Sequence, residues 1–358
     1  MKNLPIRTYL KLAGLTFSGL VFLFFILFLY STRFSNFVHN QFNYWIERAY
    51  EYRAVFARDN EPGVGPGKNL PIAKDPDNFS FAIMGDTQMF NSPSGISLMS
   101  GNYKLAASEI EKRNPGIVMT VGDLIQTCHD KIGCDAYRMW KNIDAPLLPI
   151  TFEVMGNHDH KGGDFSDSQW KDYFTLPANG PKGYEELAYS FNFGNSHFVV
   201  LDSEHPLHKI DKLQQAWLDE DLTKNTLSNV FVFWHEPAWP MDDKKRQSLD
   251  AHSSLRNSLW SIIDKHNVTA VFNGHEHVFN MTKIDSSIFS QATHAIYQIT
   301  SGHVDAPIKS DAVSNMSHQV AYYYPQGNYL MVNVKNQNIT IDLYSIATDQ
   351  LVKSFQIK

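Results

Sequence analysis

The sequence predicts an α/β sandwich. Two observations carry this reading. Short apolar runs alternate with helical segments from about residue 78 onward, and five of those runs end in a compact polar motif. The 358-residue chain has room for one large domain or two ordinary ones, and 43% hydrophobic and 13% aromatic residues are enough to bury a sizeable core. A net charge of -6 gives no basic footprint for a nucleic-acid backbone, so no nucleic-acid partner is expected.

The N-terminal part reads differently. Leu12 to Tyr30 carries no charged residue and would span about 28 Å as a helix, close to a bilayer's hydrocarbon thickness. Lys2, Arg7 and Lys11 precede it, and Tyr30, Arg33 and Phe34 suit an interfacial anchor. A cleaved signal peptide would have a shorter apolar core and an Ala-x-Ala-like site, neither of which is present. Residues 1–33 are therefore expected to form a cytoplasmic tail and transmembrane signal anchor. The positive-inside rule then favours a large C-terminal domain outside the cytoplasm: periplasmic, lumenal or extracellular. Residues 34–77 read as an aromatic juxtamembrane segment, a helix that continues the anchor or packs on the following domain, or else lies on the membrane surface, with a Pro/Gly linker at 61–67. Residues 78–358 form the large C-terminal domain.

Within that domain, Phe79–Met84 is a strand followed by GDTQ, and a helix covers Lys104–Arg113. Ile117–Val121 is a strand followed by GDLI, and Thr151–Met155 a strand followed by GNHDH. Val230–Trp234 leads into HEP, and Val268–Phe272 into NGHEH. Helices are expected at Lys212–Leu222 and Leu255–His266. Four more strands follow: AIYQIT, NYLMVNV, NITIDLY and LVKSFQI. Asp164 to Glu186 reads as a loop.

The polar motifs fall just after strands, where open α/β sheets place their ligands. Alone, each motif is weak. Together they supply Asp86, Gln88, Asp123, Asn157, His235, His275 and His277. These are oxygen and imidazole ligands without thiolate, a set for Mn, Fe or Zn acting as Lewis acids.

The order GD…GD…GNHD…H…GHxH resembles the calcineurin-like metallophosphoesterase family from about Phe79 to the C-terminus. The hairpin YSFNFGNSHFVVLDSE and the helix LQQAWLDEDL are similar to those of its purple-acid-phosphatase-like branch. The resemblance implies a four-layer α/β/β/α sandwich, two divalent metal ions and a phosphate-ester substrate. It implies that Asp86, Gln88 and His277 bind the first metal, that Asp123 bridges, and that Asn157, His235 and His275 complete the second. It places His158 against the substrate as acid to the leaving group, with Asp159 orienting its imidazole.

Two positions depart from that pattern. Many relatives have Asp-x-His at the first motif, where this chain has Asp86-x-Gln88. Gln126 stands where purple acid phosphatases carry a tyrosine. Metal identity is left open by both, and Asp-x-Gln also resembles manganese-dependent ADP-ribose pyrophosphatases. The expected activity is thus hydrolysis of phosphomonoesters or phosphodiesters by metal-activated water. The rivals are a nucleotide-diphosphate or CDP-alcohol pyrophosphatase, and a non-catalytic binding domain on the same fold.

Several features have plainer readings. His197 lies in an apolar strand and reads as a satisfied structural side chain, and His266 ends a helix. His160 extends GNHDH beside the site, and His205, His208 and His303 lie in loops. Trp234 and Trp239 read equally as a pocket wall or as core. Cys128 and Cys134, in CHDKIGC, are open to two readings: a disulfide in an oxidising compartment, or two thiols.

Overall fold

The computed structural model describes Gly63 and residues 65–67, 69–88, 90–91, 97–98, 101–129, 134–241, 247–302, 304 and 320–358. These fall in one compact unit, Pro62–Lys358. The expected transmembrane anchor and juxtamembrane segment lie outside the described residues. Among the described residues no helix is long and apolar enough to cross a membrane.

Two sheets make up the unit. The first has the order β15-β14-β13-β1-β4-β5. Its strands are β1 (Asn78–Met84), β4 (Ile117–Thr120), β5 (Thr151–Phe152), β13 (Asn328–Lys335), β14 (Asn338–Ser345) and β15 (Leu351–Gln356). The second has the order β12-β10-β11-β9-β8-β7-β6. It comprises β6 (Tyr189–Phe193), β7 (Ser196–Val200), β8 (Asn229–Phe233), β9 (Ala270–Asn273), β10 (Phe279–Ile284), β11 (Ile296–Ser301) and β12 (Tyr322–Tyr324). A two-residue pair, β2 (Phe90–Asn91) with β3 (Ser97–Leu98), stands apart. β1, β4 and β5 run parallel, as do β7, β8, β9 and β11. Crossover helices return the chain between several of these parallel strands.

The period of two along each strand assigns the faces. On β8, Phe231 and Phe233 enter the cluster between the sheets, while Val230 and Val232 join the cluster beneath the helices. β7 repeats this with Phe198 and Val200 against Val199. β1 supplies Phe81, whose ring meets Phe198 and Phe231 edge-on, each at 5.1 Å. That contact joins the two sheets. Helices α1 (Gly101–Arg113), α2 (Ala136–Ile143) and α3 (Asp164–Tyr173) add Tyr103, Trp140 and Trp170 to the same cluster. α4 (Lys212–Lys224) and α5 (Ser253–Lys265) bury Leu218, Leu222, Leu259, Trp260 and Ile263 against the second sheet. Trp234 and Trp239 belong to this core, which decides their reading.

Three sequence expectations change. The strand expected at Thr151–Met155 ends at Phe152. β5 is an edge strand, and beyond it the Val154 amide donates to Thr120 Oγ1 at 2.9 Å instead of continuing a ladder. The expected loop from Asp164 to Glu186 begins as α3, whose buried Ser166, Trp170 and Tyr173 form one face of an otherwise polar helix. The Pro/Gly run read as a linker is bonded to the unit, for the Gly67 amide donates to Thr175 O at 2.9 Å.

Candidate metal centre

The five motifs follow β1, β4, β5, β8 and β9, so one edge of the sandwich collects them. Each loop must turn sharply while keeping its backbone close to a neighbour. Gly122 has φ of 94°, and a Cβ there would sit 2.5 Å from His235 Nδ1. A Cβ on Gly156 would overlap the amide of Asp123. Four of the expected ligands adopt left-handed backbone themselves: Asp86 (φ 49°), Asp123 (54°), His275 (71°) and His277 (51°). Such conformations cost about 1–3 kcal/mol each in non-glycine residues and persist only where the surroundings enforce them. Here the Asp86 amide donates to Gly122 O at 2.9 Å, and the His275 amide donates to the Asp86 carboxylate at 3.1 Å.

All seven expected ligands converge, and they fall into two groups. In one, Asn157 Oδ1 lies 3.1 Å from His235 Nε2 and 2.9 Å from His275 Nδ1. In the other, His277 Nε2 lies 3.3 Å from Asp86 Oδ1. Asp123 stands between them. Its Oδ2 is 3.4 Å from His235 Nε2 and 2.6 Å from the amide nitrogen of Gln88. Asp86, Asp123 and His235 each offer a ligand atom within 4.8 Å of the others, and all three are buried. Two buried carboxylates facing imidazoles, with oxygen and nitrogen donors throughout, fit hard or borderline divalent ions. Gln88 is close enough to ligate, but as placed it donates Nε2 to Asp123. A 180° turn of its amide would present Oε1 instead.

The charges follow from the packing. Burial disfavours the Asp123 carboxylate, but the charge and hydrogen bond of His235, then the charge and backbone amide of His158, outweigh it. Its pKa therefore falls below the usual carboxylate range. Burial likewise opposes protonation of His235, yet Asp123, Asp86 and Glu204 raise its pKa well above the ordinary value. For His158 burial wins, and its pKa is lowered although Asp123 pulls the other way.

His158 lies at the rim, its side chain 20% exposed and its Nε2 4.0 Å from Asp123 Oδ2. Its Nδ1 faces the carbonyl of Gln126 at 2.8 Å. The expectation that Asp159 orients this imidazole is corrected. The Asp159 carboxylate is fully buried and accepts from the backbone amides of Leu124, Ile125 and Gly156 and from the hydroxyl of Tyr137. These bonds tie the GNHD loop to the GDLI loop, so Asp159 positions the backbone and Gln126 O positions the ring. Sequence reading also missed Lys161, whose Nζ lies 2.5 Å from His158 Nδ1 and 3.2 Å from Gln126 O. The two contacts to Nδ1 exclude one another: a protonated Nδ1 donates to Gln126, and a bare one accepts from Lys161.

The other histidines sort as follows. His197 is satisfied by Asn192 and Asp221, and His266 bonds Asp219. His160 and His205 both approach Asp167, and His208 pairs with Glu236 at 2.6 Å. His303 lies outside the described residues. Cys128 and Cys134 are joined in a disulfide.

A sequence model of the Calcineurin-like phosphoesterase family matches residues 79–279. Purple acid phosphatase 23 of Arabidopsis thaliana is 27% identical over 212 residues, covering 51% of this chain and 45% of that protein. Purple acid phosphatase 13 of the same plant is 28% identical over 144 residues, covering 38% and 26%. The chain thus matches less than half the length of either relative. Among solved structures, a purple acid phosphatase from yellow lupin (Lupinus luteus) seeds superposes with a TM-score of 0.61 at 14% identity, covering 78% of this chain and 54% of that one. GAP50, the anchor in the inner membrane complex of Plasmodium, gives a TM-score of 0.56 at 13% identity, covering 78% and 89%.

Proposed function

The chain belongs to the calcineurin-like phosphoesterase family, and from that premise we propose that it hydrolyses phosphomonoesters or phosphodiesters at a dinuclear metal centre. One observation supports this above the rest. Asp123 Oδ2 stands between the Asn157–His235–His275 group and the Gln88 side of the site, where a shared ligand belongs. Asp86, Gln88 and His277 would hold one ion, Asn157, His235 and His275 the other, and Asp123 both. Two divalent ions so held would supply Lewis-acid neutralisation of the phosphoryl group and acidify a water molecule.

The chain's own residues have separate tasks. The two anionic ligands, Asp86 and Asp123, would leave a pair of divalent ions with net positive charge, which suits a phosphate anion. His158 Nε2, at the exposed rim, would give its proton to the leaving oxygen while Nδ1 is held by Gln126 O. Asp159 would keep the GNHD loop in register with Asp123, whose Oδ1 accepts from the His158 amide at 2.8 Å.

The charge-free run Leu12–Tyr30 supports a second part of the reading. As a signal anchor it would tether the catalytic domain to a membrane on the extracytoplasmic side, within reach of lipid-linked or cell-envelope phosphates. Retention of the full chain in the membrane fraction after alkaline extraction is the expected result, and its release would remove this part.

The activity is tested by stripping the full chain of metal and restoring Mn, Fe, Zn or Mg separately. A phenyl monoester, a bis-phenyl diester and a nucleoside diphosphate are then compared. Metal-dependent release from either ester is expected. Turnover confined to the diphosphate would move the assignment to a pyrophosphatase, and no turnover on any of the three would contradict a broad phosphoesterase.

A further inference from the structure

Beside the dinuclear centre, a second group of ligating side chains meets. His160 Nδ1 lies 2.7 Å from Asp167 Oδ1, and His205 Nδ1 lies 3.3 Å from Asp167 Oδ2. One atom of each falls within 4.8 Å of the others. The two imidazoles stand edge to face with centroids 5.5 Å apart. His160 is the last residue of GNHDH, Asp167 and His205 lie outside the five motifs, and the proposed hydrolysis uses none of the three.

We propose that His160, Asp167 and His205 form a third, mononuclear site for a divalent cation of the zinc class. Zinc takes His nitrogen and carboxylate oxygen at about 2.0–2.2 Å, which puts neighbouring tetrahedral ligands roughly 3.3 Å apart. The His205–Asp167 separation already has that value. The His160–Asp167 pair is a hydrogen bond that would open by about half an ångström once the proton on Nδ1 is displaced by the ion. Two imidazoles and one carboxylate suit zinc better than magnesium or calcium, which prefer oxygen alone.

A second observation points the same way. Asp202 is buried, and its Oδ2 has no hydrogen-bond partner. Burial pushes its carboxyl up to about 7, the charge of Asp167 adds to this and that of His160 opposes it, and its Oδ1 accepts from the backbone amide of Glu204 at 2.8 Å. A buried, unpartnered carboxylate oxygen is costly, and a cation at the neighbouring imidazoles would offset that cost. Asp202 would complete the negative charge around the ion: two carboxylates for one divalent cation.

The site joins two parts of the chain. His160 follows the GNHD motif and Asp167 lies in the first turn of α3, while His205 lies in the segment after β7. An ion there would clamp the loop carrying His158 to the segment leading from the second sheet, and so stiffen one rim of the catalytic centre.

The test counts ions. Full chain is stripped with chelator, reloaded with excess Zn(II) alone and freed of unbound metal, and zinc per chain is measured. His205→Ala is the first variant, because that side chain is 43% exposed and its removal leaves the core intact. Asp167→Asn is the second, with circular dichroism confirming that both remain folded. Each variant is expected to hold one zinc fewer than the unaltered chain, whatever number the dinuclear centre retains. Zinc should also raise the unfolding temperature less in the variants. Equal zinc counts in all three folded proteins would overturn the site. An Asp86→Asn control, which alters the other centre, should change the count independently of His205.

Discussion

His158 Nδ1 rests 2.8 Å from the carbonyl oxygen of Gln126, and not on a carboxylate. A backbone acceptor fixes the ring's direction without adding a negative charge that would hold its proton. If the ring delivers a proton to the leaving group, His158→Ala should lower kcat by about 10²–10⁴-fold while metal content stays the same. The loss should be larger for a poor leaving group than for a nitrophenolate. Comparing kcat on an alkyl and a nitrophenyl phosphate checks this, and equal losses on both would count against the acid role.

Lys161 offers a way to move that proton. Burial lowers the His158 pKa, and the nearby Lys161 charge lowers it further. An acid acts only while protonated, so activity is present below its pKa and lost as pH rises through it. Lys161→Met removes the cation and should shift this loss to higher pH. The alkaline limb of kcat/KM against pH reads the shift, and a limb that stays in place or moves down would contradict it.

Asp159 is expected to act on stability. Its carboxylate accepts three backbone amides and the Tyr137 hydroxyl. Asp159→Asn turns an acceptor toward donors, and each buried group left unsatisfied costs about 1–3 kcal/mol. A loss of several kcal/mol in urea unfolding is expected, against about 1 kcal/mol for Tyr137→Phe. An Asp159→Asn protein with unaltered stability and reduced kcat would restore the side-chain orienting role that the hydrogen bonds argue against.

Asp144 should make stability depend on pH. Burial pushes its carboxyl up to about 7, against a hydrogen bond from Thr151 Oγ1 at 3.1 Å. The folded pKa thus exceeds the unfolded value near 3.9, so the unfolded chain releases this proton first. Its contribution is fully present below about pH 4, and is lost as pH rises to about 7. Asp144→Asn should flatten that decline. Unfolding free energies at pH 5 and pH 7.5 test it, and a variant with an undiminished decline would assign the effect elsewhere.

If Gln88 ligates the first metal position as proposed, its side chain sets how tightly that ion is held. Its amide nitrogen, 2.6 Å from Asp123 Oδ2, competes with any ion for that oxygen. Gln88→His substitutes an imidazole, a stronger ligand for Mn, Fe or Zn than an amide, so one ion per chain should resist dialysis against a weak chelator longer than in the unaltered protein. Faster loss from the variant would mean that Gln88 ligates better than its placement suggests.

Much of the sandwich was legible in the sequence, because strands such as β8 announce themselves by alternation: Phe231 and Phe233 toward one core, Val230 and Val232 toward the other. The convergence of the seven candidate ligands was legible because carboxylates, amides and imidazoles follow those strands without an intervening linker. α3 was hidden, for DFSDSQWKDY is polar on most of its surface and shows only Trp170 and Tyr173 as apolar anchors. The partner of His158 was hidden for another reason: a backbone carbonyl leaves no mark on residue type. His160, Asp167 and His205 come together only because α3 and the segment after β7 meet in space, and their spacing along the chain follows no motif.

The two ligand groups around Asp123 are proposed to hold two ions that act together. This is tested most directly by titrating metal into the stripped full chain while following hydrolysis of a phenyl phosphate, with His275→Ala and Asp123→Asn alongside. Turnover should rise only as ions fill this centre, His275→Ala should lose most of it, and Asp123→Asn nearly all. Full turnover in Asp123→Asn, or turnover in the stripped chain equal to that of the reloaded one, would contradict the proposal.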